Sequence, residues 1–166
     1  QPDVAIVGAK LYYPDNLIQH AGVVLGMGGI AGHIMCQASC EDKGYFGRAV
    51  NVQEISAVTA ACMLMKVEDF EAVGGFDEEF VVAFNDIDLC MKERAAGKKV
   101  VFTPYAELYH YESKSRGLED TPEKVARFNK EIATFEKKWP EILKNGDPYY
   151  NPNLTLKSQD FSLKRI

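Results

Sequence analysis

Glycines 74, 75 and 97 punctuate the middle of this sequence, and the stretch between them has room for a loop and one short helix. Upstream, Glu68 to Val73 reads as a short helical turn that Gly74 stops with a left-handed cap. Phe76-Asp77-Glu78-Glu79-Phe80 then reads as an acidic loop held by its two phenylalanines. Asn85 has the side chain of an N-cap, with Asp88 three residues on, Lys92 and Arg94 in the last turn, and Gly97 as the stop. Lys98 to Thr103 follows as a strand that Pro104 breaks. Beyond it Ala106, Leu108 and His110 fall on one side, and Glu107, Tyr109 and Tyr111 on the other.

The flanking segments add strands and one long helix. Val4 to Tyr13 is a buried strand, Pro14-Asp15-Asn16 a turn, and Leu17 to Leu25 a returning strand. Val52 to Lys66 is apolar and rich in small residues, a central strand after Ser56. Ser113 to Asp120 is a polar, mobile loop. Thr121-Pro122 opens a helix whose Val125, Phe128, Ile132 and Phe135 make an apolar stripe, and Trp139-Pro140 interrupts it. The tail after Gly146 is irregular and is expected to wrap the surface. Strands interleaved with helices place the chain in the α/β class, with a mixed sheet and helices packed on it. Two segments follow: 1–120, carrying the sheet and the acid cluster, and 121–166, a helix and tail packing on it.

Composition excludes several roles. At 166 residues and 46% hydrophobic content the chain can bury a core of its own, and no apolar run approaches the ~20 residues of a membrane helix. A net charge of −5 without a basic block argues against nucleic acid as a partner. The four cysteines, 36, 40, 62 and 90, lack metal-site spacing and read as reduced thiols, which favours a cytoplasmic location.

Asp86 is the strongest candidate for chemistry. A helix N-terminus favours a carboxylate's charged form, and a charged carboxylate in reach of a hydroxyl can take its proton. Capping of the helix by Asn85, Asp86 and Asp88 is the plainer reading. His110 reads either as a metal or phosphate contact or as packed structure. Arg116, among Ser113, Lys114 and Ser115, has forked donors suited to an anion, or lies in a solvated loop. Asp77 beside Gly74 and Gly75 could meet sugar hydroxyls, or be a surface acid. His20 and His33 read as structural. Gly26-Met27-Gly28-Gly29-Ile30-Ala31 fits the dinucleotide pattern in spacing, but the following His33 to Val50 makes a poor helix, so that reading ranks last.

In order along the chain, several segments resemble family-two glycosyltransferases. They are Val7-Gly8-Ala9-Lys10-Leu11 with its Tyr-Pro-Asp turn, Ile18-Gln19-His20-Ala21-Gly22-Val23, Val58-Thr59-Ala60-Ala61-Cys62 and Gly74-Gly75-Phe76-Asp77-Glu78. Phe84-Asn85-Asp86-Ile87-Asp88-Leu89-Cys90 and Thr103-Pro104-Tyr105-Ala106-Glu107-Leu108-Tyr109-His110 continue the likeness, and the Asp147-Pro148-Tyr149-Tyr150-Asn151-Pro152-Asn153-Leu154 tail looks like that of bacterial cell-surface polysaccharide members. The resemblance implies the C-terminal, acceptor-side half of a GT-A fold. It implies Asp86 as the base that activates an acceptor saccharide against a nucleotide-sugar donor, with inversion. It also implies His110 as a ligand of a divalent Mn²⁺ or Mg²⁺, Ser113 and Arg116 on a loop closing on the diphosphate, and Gly74, Gly75, Asp77 and Asn85 lining the sugar pocket.

The family's Asp-X-Asp nucleotide-binding half is not matched: the only such triplet, Asp86-Ile87-Asp88, is the base motif. The chain is therefore expected to be inactive alone, to work at the inner face of the membrane as part of a larger protein, and to expose sheet edge that invites a homodimer. A non-catalytic sugar-binding or assembly module is the alternative.

Overall fold

A computed structural model describes residues 1–111 and 121–165. Among the described residues the strands are β1 (Val4–Tyr12), β2 (Ile18–His20), β3 (Val23–Leu25), β4 (Ala31–His33), β5 (Gln53–Glu54), β6 (Met63–Met65) and β7 (Lys99–Tyr109), with α1 (Val67–Ala72) and α2 (Asn85–Ala95) between β6 and β7, and α3 (Pro122–Lys138) and α4 (Pro140–Asn145) after β7. The architecture is α/β with a mixed sheet.

The sheet is five-stranded in the order β2-β1-β7-β5, with β6 pairing β1 beside β2's position. β1 is its spine. β7 runs parallel to it from Val4 to Tyr12, while β6 and β2 pair antiparallel along its other side at successive stretches. A parallel pair needs a long crossover, and the chain from β2 to α2 supplies it. α2 then leads directly into β7 and packs against both central strands. Ile6, Leu11, Ile18, Leu25, Ile34, Ile55, Leu89, Phe102 and Phe135 are the large apolar side chains with almost no exposure.

Several sequence expectations change here. The returning strand splits: β2 ends at His20, and β3 instead makes a two-stranded hairpin with β4, Val23 facing His33 and Leu25 facing Ala31. The glycine-rich stretch is the loop of that hairpin, with positive φ at Gly26, Gly28 and Gly29, and no helix follows it. A dinucleotide turn needs a helix N-terminus there, so that reading is overturned. The segment after Ser56 is no central strand either. It gives a 3₁₀ turn over Ala60–Cys62 and the edge strand β6, whose Leu64 is 73% exposed.

Pro104 does not end β7. Ala9 pairs with Thr103 and Lys10 with Glu107, so Pro104, Tyr105 and Ala106 bulge out of the ladder. A bulge tolerates a residue without an N–H donor, and the strand resumes beyond it. Tyr12 Oη donates to Glu107 Oε1 at 2.8 Å across the resumed pairing.

The tail also departs from expectation, since it enters the core. Tyr150, Leu154 and Phe161 are buried, and Asp147 accepts hydrogen bonds from Leu25 N–H at 2.8 Å, Ser56 Oγ at 2.7 Å and Tyr149 N–H at 2.8 Å. Among the described residues no helix is long and apolar enough to cross a membrane.

Candidate functional site

The segment before α2 sets the position of Asp86. Glu131 of α3 is 1% exposed, and its two carboxylate oxygens accept the backbone N–H groups of Val82 and Ala83 at 2.8 and 3.1 Å. Phe84 follows in the left-handed conformation at φ 64°, its ring packed on Phe128 and Phe135 of α3 at 5.6 and 5.7 Å. Phe84, not Asn85, is therefore the N-cap. Asn85 is already helical, and its Oδ1 accepts the N–H of Asp86 at 2.7 Å. A bulky residue at positive φ is strained, and it persists here because α3 grips the backbone on one side and the ring on the other.

Asp86 stands in the first turn of α2. Its Oδ1 accepts Ile87 N–H at 2.9 Å, and its Oδ2 accepts Ala60 N–H at 3.0 Å. Ala60 opens the 3₁₀ turn that Thr59 caps through its own hydroxyl. Thr59 also lines a cleft of about 100 Å³ with Tyr13, Gln19, His33, Cys36 and His110. One turn of backbone thus joins the carboxylate of Asp86 to the cleft that holds His110.

His110 is fixed by Gln19. His110 N–H donates to Tyr12 O at 2.9 Å, Gln19 Nε2 donates to His110 O at 3.4 Å, and His110 Nδ1 lies 2.8 Å from Gln19 Oε1. An amide oxygen only accepts, so Nδ1 carries a proton, and any lone pair the ring offers is on Nε2. That is how a histidine is oriented by an outer partner when it ligates a metal. Among the described residues, however, no three His, Cys, Asp or Glu side chains converge to hold a metal ion.

The other candidates lie as follows. Asp77 forms an ion pair with Lys138 at 2.5 Å, and the lysine's hydrogen bond is the main reason the carboxyl is held below its ordinary range. Lys138 also reaches Asp88, a fully buried carboxylate that accepts Trp139 Nε1–H at 2.8 Å. Gly74 and Gly75 both adopt positive φ, and a side chain at Gly75 would strike the Phe70 ring at 2.9 Å. Ser113 and Arg116 lie outside the described residues.

His20 and His33, read from the sequence as structural, pair with each other, a contact the sequence did not announce. His20 Nδ1 and His33 Nδ1 are 3.0 Å apart, with rings edge-to-face at 5.0 Å. His20 is fully buried, and burial holds its pKa well below the ordinary histidine value, with the His33 charge adding to the effect. The signal was the hairpin: once β4 is seen to fold back on β3, His33 sits opposite Val23, just beyond the end of β2.

The chain is similar over 98% of its length to an uncharacterized protein, y4gI, of Sinorhizobium fredii, at 57% identity, and covers 18% of that protein. It is 40% identical over 99% of its length to the O-antigen biosynthesis protein RfbC of Myxococcus xanthus, covering 13% of it. Over 60 residues, 36% of the chain, it is 35% identical to an N-acetylglucosaminyl-diphospho-decaprenol L-rhamnosyltransferase of Mycobacterium tuberculosis, covering 20% of that protein. The chain therefore spans a fifth or less of the relatives it matches. No family model matches it, and no solved structure does.

Proposed function

We propose that this chain is the acceptor-side part of a family-two, GT-A glycosyltransferase that extends a cell-surface polysaccharide. The observation that carries the reading is Asp86, a carboxylate at the start of α2 held by Ala60 N–H beside the cleft of His110 and Thr59. Support comes from the names of two relatives, one an O-antigen biosynthesis protein and one a rhamnosyltransferase.

In this mechanism an acceptor saccharide hydroxyl gives its proton to Asp86. Its oxygen attacks the anomeric carbon of a nucleotide sugar, and the bond to the diphosphate breaks with inversion. Stabilising the departing charge is the larger demand, and one carboxylate cannot meet it. Arg116 and Ser113 are assigned to the diphosphate, and Gly74, Gly75, Asp77 and Asn85 to the sugar side. A divalent cation, if the longer protein holds one, has His110 as a ligand from this chain. The nucleotide-binding half belongs elsewhere in the longer protein, so the chain alone turns over no nucleotide sugar. Its place is the inner face of the membrane, and a second copy is assigned to the exposed edge at β6.

Two assays test this. Asp86→Asn in the longer protein is expected to lower turnover by about 10²–10⁴-fold, the range of a lost general base. Undiminished turnover removes Asp86 from the mechanism. Robust turnover by the isolated chain would overturn the assignment of the donor site to another segment.

A further inference from the structure

Asp88 shares the first turn of α2 with Asp86, is fully buried, and has no part in the chemistry described above. A buried carboxylate is tolerated only when its oxygens are answered. Its Oδ1 accepts Trp139 Nε1–H at 2.8 Å and lies 2.9 Å from Lys138 Nζ. Its Oδ2 accepts Lys138 Nζ at 3.0 Å and stands 3.8 Å from Lys92 Nζ. Neither lysine stops there. Lys138 Nζ also donates to Asp77 Oδ2 at 2.5 Å, and Lys92 Nζ donates to the carbonyl oxygen of Gly75. Both second contacts fall in the short loop that follows α1.

That loop is shaped by Asp77. Its Oδ1 accepts Glu79 N–H at 3.0 Å, and its main-chain oxygen accepts Phe80 N–H at 3.0 Å. The ion pair of Asp77 with Lys138 is partly exposed, and such a pair by itself holds little. Tied at the same time to a buried carboxylate that solvent does not screen, the lysine is kept in one place. We infer that Asp88 is a positioning residue: through Lys138 and Lys92 it fixes the 74–79 loop, and with it the Asp77 carboxylate, relative to Asp86 on the same helix. A carboxylate has roughly four acceptor sites, and Glu79 and Lys138 use two of those on Asp77, so sugar hydroxyls can still donate to it. The inference rests on the transferase reading for the sugar, but not for the clamp.

Carboxylate ¹³C spectra of the chain titrate Asp77 directly. The hydrogen bond from Lys138 holds that carboxyl below its ordinary range, so loosening the clamp raises it. In Asp88→Asn the amide oxygen still accepts Trp139 Nε1–H, but the charge that anchors both lysines is gone. The Asp77 midpoint is expected to rise toward the ordinary value, and hydrogen exchange at 76–80 to quicken about tenfold. Trp139→Phe removes the Asp88 contact that does not lead to the loop. It is expected to lower Tm and to leave both readings in place. An unmoved Asp77 midpoint in Asp88→Asn, or an equal rise in Trp139→Phe, overturns the inference. If Asp88→Asn does not fold, Lys138→Met cuts the link from its partly exposed end, and unchanged exchange at 76–80 then overturns it.

In the longer protein the consequence is read by turnover, with an oligosaccharide hydrolysate of the cell's own surface polysaccharide as acceptor. Asp88→Asn is expected to raise the acceptor KM about tenfold, the worth of one charge-assisted hydrogen bond, and to hold kcat within a factor of about two. Loss of kcat at an unchanged KM would overturn the placement of the clamp on the sugar side. Failure of the transferase reading appears separately, as absent wild-type turnover or as undiminished turnover of Asp86→Asn, and the Asp77 titration then still decides the clamp.

Discussion

At the scale of single residues, burial decides which groups respond to solution conditions. His20 is held neutral in the folded chain, while the unfolded chain protonates it near the ordinary value of 6.5. A folded pKa below the unfolded one means that stability is complete above pH 6.5 and is lost as pH falls below it. The expected slope is about 1.4 kcal/mol per pH unit until the folded group also titrates. Urea unfolding from pH 7.5 to 5 should show this in the wild type and a flatter profile in His20→Phe, and equal slopes would contradict it. Glu93 acts in the opposite sense at lower pH, since burial, with Asp69 nearby, raises its carboxyl.

The thiols follow the same logic. Cys90 is fully buried and pushed up to about 12, whereas Cys40 is exposed. An alkylating reagent is expected to label Cys40 rapidly and Cys90 only when the chain unfolds, which peptide mass mapping over time would check. Cys36, Cys40, Cys62 and Cys90 are all unbridged in the structure.

At the scale of elements, α3 governs the segment that carries Asp86. Glu131→Ala would strand the N–H groups of Val82 and Ala83 and release the strained Phe84. The expected cost is about 2–4 kcal/mol, one to two unmade hydrogen bonds to a charged group. Hydrogen exchange at 82–86 should rise more than in β1, and uniform exchange would mean that α3 merely packs.

The helix itself was legible in the sequence, because its Thr121 cap, Pro122 start and apolar stripe are local signals. So was the extent of α2, through Gly97 and the basic last turn. What Glu131 holds was not legible, because a charged residue on a helix surface looks solvated until the tertiary partner arrives. The cap of α2 was misread for a related reason: Asn85 has the right side chain, but the backbone turns one residue earlier, under tertiary constraint. At Pro104 the local rule was sound and the inference from it was not, since a missing N–H excludes a paired residue and leaves a bulge open.

At the scale of the whole molecule, the tail and the sheet are one structure. Asp147→Ala removes the acceptor shared by Leu25, Ser56 and Tyr149. At least about 2 kcal/mol of stability should go with it, or roughly 4–8 °C in Tm. A scanning-calorimetry Tm within one degree of wild type would show that water replaces these bonds at no cost. The central strand pair was legible as two apolar runs, but its order was not, since β1 and β7 meet only after most of the chain has passed between them.

The bond from Leu25 to Asp147 spans 122 positions, and that separation governs when the molecule can become itself. During synthesis the β3–β4 hairpin emerges long before its acceptor, so it waits with an unanswered amide and an open apolar face. Closing so long a loop is slow, and chains rich in distant contacts fold late and cross aggregation-exposed states. This fold can lock only once Asp147 has left the ribosome, long after the hairpin it must meet.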